Sequence, residues 1–357
     1  MLVNVPIESL VDRYSAHWNN WFPVVFDSSN IDYVTIYPEK EYSTTVVSGE
    51  FLNVVSTNRF KADQLSLICK LFEEGKVTED TTFFFHDLWF PGIEMLFYIR
   101  DGLGINFKIT GMLHAGTYDK HDFLAKKGMA RWAEPIERSW LSEVDALFLA
   151  TTFHAQLLME TGRIASMDNV FITGFPLWVP LLPDEEYATK ENIIVFPHRL
   201  AKEKNPYIFD RIATSLNLPG WRFIKSKDVC NTKSEYYDLL AKSKIAVSCA
   251  DQETWGIAQQ EALFYGCIPI VPDFLSYKEL YSKDFKYKKE FNVPYTDADV
   301  HELVTKLQDV VHNYEQYKVS ASLKHDVEQL HTSCTHALPM MISVLESKGF
   351  IRESTKC

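Results

Sequence analysis

Residues 245–280 read as a strand, a loop, a helix and a second strand, and the rest of the chain can be placed around them. The short apolar run Ile245–Val247 ends in small polar residues. A helix-forming stretch begins near Trp255 and stops at Gly266, and a second buried strand follows at Ile268–Val271. Glu253 precedes that helix and Glu261 lies inside it, eight residues on. Gly256 falls at the opening turn, where the missing side chain lets an anion approach bare backbone N–H groups at the positive end of the helix.

A chain of 357 residues that is 46% hydrophobic and 14% aromatic can bury large cores and has the length of about two domains. The first apolar residues are interrupted by Asn4, Pro6 and Glu8. No signal peptide or spanning helix is therefore expected, and a soluble cytoplasmic protein is. Six cysteines are scattered without CxxC or Cys/His ligand spacing, which suggests neither a disulfide framework nor a zinc site. A formal charge of −12 argues against indiscriminate nucleic-acid binding and leaves room only for a local basic groove.

Leu2–Ile7 reads as an opening strand, Ile31–Ile36 and Val46–Val47 as further strands, and Ala62–Glu74 as a helix. Between the first two strands lies an unusually aromatic segment holding His17, Trp18 and Trp21. An exposed platform of this kind could stack on a base or a sugar; the alternative is that the tryptophans pack a first helix onto the sheet. The run Thr82–Phe85 ends on His86 and Asp87, and a helix follows over Ile93–Arg100. The strand from Phe107 ends on His114, before Gly116, Tyr118 and Asp119. In parallel α/β sheets the carboxyl ends of strands face the ligand crevice, so two strand-end histidines point to a role in a cleft rather than to two satisfied core residues.

Lys120, His121, Lys126, Lys127, Arg131 and Arg138 then cluster in one helical stretch with Trp132 and Trp140 between them. They suit either a solvated helix face or contact with the phosphates of a polynucleotide. Ala146–Ala150 and Val170–Thr173 read as the last strands of this half, around a helix at Ala155–Gly162.

The Pro-rich run from Phe175 and the polar stretch Leu182–Asn192 read as an interdomain linker. The second half restarts with a strand ending at Phe196, a cationic loop with Arg199 and Lys204, and a helix over Pro206–Leu216. A guanidinium and an ammonium at a strand's carboxyl end could jointly neutralise a diphosphate. Trp221–Ile224 and a helix at Lys233–Lys242 lead into the opening stretch, and helices run from Val300 to the end. Asp297-Ala-Asp299 superficially matches a DxD metal motif, but its place before a helix reads as an N-cap.

Together these motifs resemble a known family. Arg199-Leu-Ala-Lys-Glu-Lys204-Asn205 resembles the R-x4-K loop of GT-B glycosyltransferases, particularly the retaining family-4-like enzymes. Glu253 to Glu261 resembles their E-x7-E signature, with Gly266, Pro269 and Glu279 following in the usual order. The likeness covers mainly residues 190–280. It departs from the pattern in the missing glycine-rich loop after the first strand and in His198, which stands where glycine commonly precedes the arginine and would narrow the donor pocket.

The resemblance implies an α/β fold of two Rossmann-like domains facing a cleft. Residues 1–175 would form the acceptor domain, 176–192 the linker, 193–325 the nucleotide-sugar domain, and 326–357 a helical tail packing back towards the first domain. It implies transfer with retention, with no metal and no cofactor beyond a nucleotide-sugar co-substrate, a UDP-sugar ahead of a GDP-sugar. Arg199 and Lys204 would stabilise the departing diphosphate, aided by the Gly256 and Ile257 N–H groups and by Trp255 nearby. Glu261 would take the ribose hydroxyls, Glu253 the hydroxyls of the sugar, and His114 would contact that sugar from the other domain.

The acceptor-binding candidates are His17, Trp18, His86, Asp87, Tyr118, Lys126, Lys127 and Arg131. They fit a modified base in nucleic acid. The compact soluble architecture is similar to phage DNA-modifying glycosyltransferases, so a hydroxymethylated pyrimidine of phage DNA is the first expectation and a modified tRNA base another. The alternatives are a surface polysaccharide or lipid-linked glycan as acceptor, and a catalytically silent sugar-nucleotide-binding subunit.

Overall fold

The computed structural model describes residues 1–10, 13–40, 42, 53–178, 190–216, 218–290 and 294–352. The strand expected at Val46–Val47 and most of the expected linker lie outside the described residues. The chain forms two compact units, one from Met1–Pro176 with His336–Cys357 and one from Leu177–Thr335.

The first unit holds six strands: β1 (Leu2–Val5), β2 (Tyr33–Thr35), β3 (Thr82–Phe85), β4 (Lys108–Met112), β5 (Ala146–Leu149) and β6 (Val170–Ile172). They are all parallel, in the order β2-β1-β3-β4-β5-β6, with helices between successive strands. Runs such as Phe83-Phe84-Phe85 are buried at every residue, as expected where helices cover both faces of a parallel sheet. The second helix begins at Val54, well before the expected Ala62, because Asn53 caps it by accepting from the Ser56 N–H at 3.0 Å. Its first turn carries exposed valines off the apolar stripe, so periodicity could not reveal it.

The second unit holds β7 (Glu191–Phe196), β8 (Arg222–Lys225), β9 (Ser243–Val247), β10 (Ile268–Pro272) and β11 (Lys286–Tyr287), parallel in the order β11-β10-β9-β7-β8. Both units are Rossmann-like. The final helix of this unit, Ala321–Thr335, is followed by Ala337–Ser347, which belongs to the first unit.

In each sheet the chain steps outward once and then returns to the other side of its starting strand. The reversal lies between β1 and β3 in the first unit and between β7 and β9 in the second. Ligands of open α/β sheets bind outside the carboxyl ends of the strands at such a switch point.

Burial settles the aromatic segment. It forms the helix Tyr14–Ser28, in which Trp18 is fully buried and donates from Nε1 to the Pro176 carbonyl at 2.5 Å. Its ring packs among Tyr14, Phe22, His114 and Phe175, with centroids 4.9 to 5.4 Å away. Trp18 is thus a core residue and not a stacking platform, because its indole finds both apolar neighbours and a hydrogen-bond acceptor inside the unit.

His86 and His154 are equally interior. The His86 Nε2 lies 2.7 Å from Asn4 Oδ1, and the His154 Nε2 lies 2.5 Å from the Tyr118 hydroxyl. Burial foremost, and the proximity of His114 next, lowers both imidazoles from the ordinary value to about 3. On unfolding both return to ordinary histidines that bind a proton below about pH 6.5. The unfolded state then holds more protons than the folded one, so this contribution is present above about pH 6.5 and is lost as pH falls towards 3. Urea unfolding between about pH 6.5 and 5, where carboxylates titrate little, is expected to lose up to about 1.4 kcal/mol per pH unit per histidine. His154→Gln should flatten that slope by one histidine's share; an unchanged slope would contradict this placement.

Candidate active site

Strand β7 pairs with β9, so the loops that leave their carboxyl ends are neighbours at the switch point of the second unit. The first loop runs through His198, Arg199 and a single turn at Lys202–Lys204 to Asn205. Asn205 adopts a left-handed conformation, φ 51°, and Pro206 opens the next helix at its first position, where no N–H is needed. The Asn205 amide donates to the Cys249 carbonyl at 2.9 Å and to Asp251 Oδ2 at 2.7 Å, while the Asp251 N–H donates to the Glu203 carbonyl at 2.8 Å. These bonds stitch the loop after β7 to the loop after β9.

The stitching brings the expected residues together. Lys204 Nζ lies 2.8 Å from Glu253 Oε1 and also donates to the Gln252 carbonyl. Both side chains are largely buried, so each charge offsets the desolvation of the other. Arg199, still substantially exposed, pairs with Glu203 at 2.6 Å. His198 is buried behind them, with Nδ1 3.6 Å from Glu253 Oε1.

Gly256 caps the helix Ile257–Phe264 with φ 85°, and its carbonyl takes the first bonds, from the Gln259 and Gln260 N–H groups at 3.0 and 3.1 Å. The Ile257 and Ala258 N–H groups that precede these lack an intrahelical acceptor and point towards what lies before the helix. A Cβ on Gly256 would stand 2.8 Å from Cε1 of the buried Tyr277, whose hydroxyl lies 3.0 Å from Ser248 Oγ. Trp255 is buried beneath the turn, and its carbonyl accepts from the Gln260 side chain at 3.0 Å. One helical turn further on, Glu261 Oε1 accepts from Lys233 Nζ at 2.5 Å and from the Tyr237 hydroxyl at 3.0 Å. Lys233 and Tyr237 were not singled out from sequence; the only signal was a basic residue opening the preceding helix. Glu279 lies exposed on the short helix Tyr277–Leu280.

In the first unit His114 follows β4, and its Nε2 donates to the His86 carbonyl at 2.6 Å. The carbonyl can only accept, so Nε2 carries the proton; burial lowers the pKa of the ring, and its Nδ1 is then an acceptor. Glu137, which sequence reasoning missed, anchors the loop beyond. It accepts from the Thr117 N–H at 2.6 Å, Thr117 Oγ1 at 2.7 Å, Trp89 Nε1 at 2.9 Å and Arg163 Nε at 3.0 Å.

Of the candidates for the acceptor, Trp18, His86 and Tyr118 are corrected. Each is buried with a hydrogen-bond partner inside the unit, which places it in the interior and not on an exposed acceptor surface. Asp87 is half-buried and accepts from the Trp89 N–H at 3.0 Å, and His17 stacks on Trp21 at 5.4 Å. Lys126, Lys127 and Arg131 are exposed, the first two at the end of a short helix broken at Gly128 and the third on the helix Ala130–Glu143. At the DxD sequence, Thr296 and Asp299 form a reciprocal capping box and Asp297 pairs with Arg211 at 2.7 Å.

No family model matches the chain. Among solved structures the whole chain resembles a sucrose-phosphate synthase from Thermosynechococcus elongatus, with a TM-score of 0.69, 10% identity and 98% of each chain covered. It also resembles Anabaena HepE in complex with UDP and glucose, with a TM-score of 0.61, 8% identity and coverage of 98% of this chain and 100% of that one. The lipopolysaccharide outer core galactosyltransferase WaaB matches with a TM-score of 0.60, 12% identity and coverage of 97% and 99%. The chain therefore has the GT-B fold of these glycosyltransferases. Over 55 residues it is 44% identical to a tRNA-queuosine alpha-mannosyltransferase of Drosophila melanogaster, a match spanning 15% of this chain and 15% of that protein.

Gly256→Ala should strain the turn by about 1–2 kcal/mol through its positive φ and push against Tyr277. Calorimetric titration with UDP is expected to show affinity at least about tenfold weaker, a factor equivalent to about 1.4 kcal/mol. Wild-type affinity in this variant would refute the assignment of the turn as an anion cradle.

Proposed function

We propose that the protein transfers a sugar from a nucleotide sugar to a hydroxyl group, without a metal and with retention of configuration. The observation that carries this reading is the meeting of the Arg199–Lys204 loop with Glu253 and the Gly256 turn at the β7/β9 switch point. The loop that carries Arg199 and Lys204 and the helix N-terminus at Gly256 follow adjacent strands, and a diphosphate bound between them would find electrostatic stabilisation of its departure. Glu261, held by Lys233 and Tyr237, offers a carboxylate for ribose hydroxyls one turn further along the helix. UDP is the favoured nucleotide, because similar solved structures hold it: HepE with UDP and glucose, and a pneumococcal O-GlcNAc transferase, GtfA, with UDP and GlcNAc.

For the acceptor we favour a modified base in nucleic acid. The short match to a tRNA-queuosine alpha-mannosyltransferase, over 15% of each protein, is the observation that favours a tRNA base ahead of a hydroxymethylated base of phage DNA. The exposed Lys126, Lys127 and Arg131 would meet phosphates, beside the partly exposed ring of Trp132. His17 and Asp87 remain candidates at the rim of the first unit. A second reading, a surface-glycan acceptor, is favoured by the full-length likeness to WaaB. No described helix is long and apolar enough to cross a membrane.

Nucleotide release from UDP-glucose, UDP-galactose, UDP-N-acetylglucosamine and GDP-mannose, with and without tRNA, should reveal one preferred donor. Arg199→Ala and Lys204→Ala should each lower kcat by about 10²-fold or more with the fold intact by circular dichroism. Full activity in either variant would refute the diphosphate assignment, and no release from any donor would favour a silent binding subunit.

Filter binding of unmodified and queuosine-containing tRNA over a range of salt tests the acceptor. Replacing Lys126, Lys127 and Arg131 together should weaken binding and reduce the slope of log K against log salt by about one per lost phosphate contact. An unchanged slope would remove the patch from the acceptor site.

A further inference from the structure

We propose that His198 is a positioning residue that fixes the Glu253 carboxylate, so that one oxygen is held by the protein and the other is offered to a hydroxyl of the donor sugar. This deepens the reading above and rests on it.

His198 leaves the carboxyl end of β7, is only 2% exposed, and packs its ring edge-on to Phe196 at 5.2 Å. Its Nδ1 faces Glu253 Oε1 at 3.6 Å, the same oxygen that Lys204 Nζ approaches at 2.8 Å. Glu253 Oε2 has no protein partner among the described residues, and neither does the buried Nε2 of His198. Burial first, and the charges of Lys204 and Arg199 next, hold the imidazole well below its ordinary pKa, so the ring carries one proton.

Two arguments place that proton on Nδ1. On Nε2 it would be a buried donor with no acceptor, and the Nδ1 lone pair would then oppose a carboxylate oxygen. On Nδ1 it points at Oε1 across a distance that a small carboxylate movement closes. Lys204 and His198 then fix Oε1 from two directions, and Oε2 becomes an acceptor whose natural partner is a hydroxyl. A phosphate, itself an acceptor, would be repelled. The arrangement therefore separates the two halves of a sugar nucleotide: cations and backbone N–H groups for the diphosphate, an oriented carboxylate for the sugar.

The test uses His198→Leu, His198→Asn and His198→Gln in the full chain. The asparagine amide places an N–H near the position of Nδ1, and the glutamine amide places one near Nε2. Nucleotide release is measured with the preferred donor of the four above, alongside UDP and GDP affinity. The leucine variant should lose about 10- to 100-fold in kcat/KM, the scale for a displaced positioning contact. Affinity for the bare nucleotide should stay within about twofold, since it does not reach Glu253. Asparagine should restore most of the activity and glutamine should not. Rescue by glutamine instead, or wild-type activity in the leucine variant, would overturn the proposal. Nitrogen-15 NMR of histidine-labelled protein, with the signal assigned from the asparagine variant, should find the proton on Nδ1. A proton on Nε2 overturns the proposal whatever the activity. Failure of the wild type on all four donors would instead overturn the proposed function, with the NMR still deciding His198.

Discussion

The hydrogen-bonded pairing of β7 with β9 is the constraint on which the second unit depends. Forty-nine residues separate Lys204 from Glu253 along the chain, yet their strands are adjacent, and the loops beyond them must share space. The Asn205 amide and the Asp251 N–H turn that proximity into fixed geometry. Without the register of the two strands, a lysine and a glutamate would be ordinary surface charges. With it they form a buried pair beside an open helix N-terminus, and neither side chain can be removed without leaving the other's charge poorly compensated.

The same logic governs the first unit in apolar terms. Trp18, Phe22, His86 and His114 pack into one cluster because the Tyr14–Ser28 helix lies against the strand ends around the β1/β3 reversal. Residues at strand ends are presented to ligand only if nothing covers them. Here a tryptophan covers His86, while His114 precedes a loop that Glu137 holds with three bonds from Thr117 and Trp89 and a fourth from Arg163. Strand-end position marks where function can be placed; burial decides which residues can use it.

The distribution of charge follows this division. In the second unit, Lys204 pairs with Glu253 beside a helix N-terminus while the Glu261 carboxylate stands one helical turn further on. In the first, exposed cations gather along a short helix and the longer one after it, in a chain whose overall charge is −12.

How much of this was legible in advance differs by type of feature. The parallel strands announced themselves as short apolar runs bounded by turns, and Arg199, Lys204, Glu253, Gly256 and Glu261 could be assigned to the loops and helix that follow two of them, because those positions are fixed by local strand-loop-helix geometry; that Lys204 meets Glu253 depends on the β7/β9 pairing. The partners of these residues and of the strand-end residues in the first unit were not legible. Lys233, Tyr237, Tyr277, Glu137 and Asn4 act across distances that no local pattern encodes, and a helix start such as Asn53 was hidden by valines outside the apolar stripe. Sequence alone determined which segments become strands and helices and which side chains stand at the strand ends, since both follow from periodicity and backbone preference. Only the tertiary structure decided that Trp18, His86 and Tyr118 are interior, and that His198 and Lys204 face the same oxygen of Glu253, because burial and strand order are properties of the whole sheet.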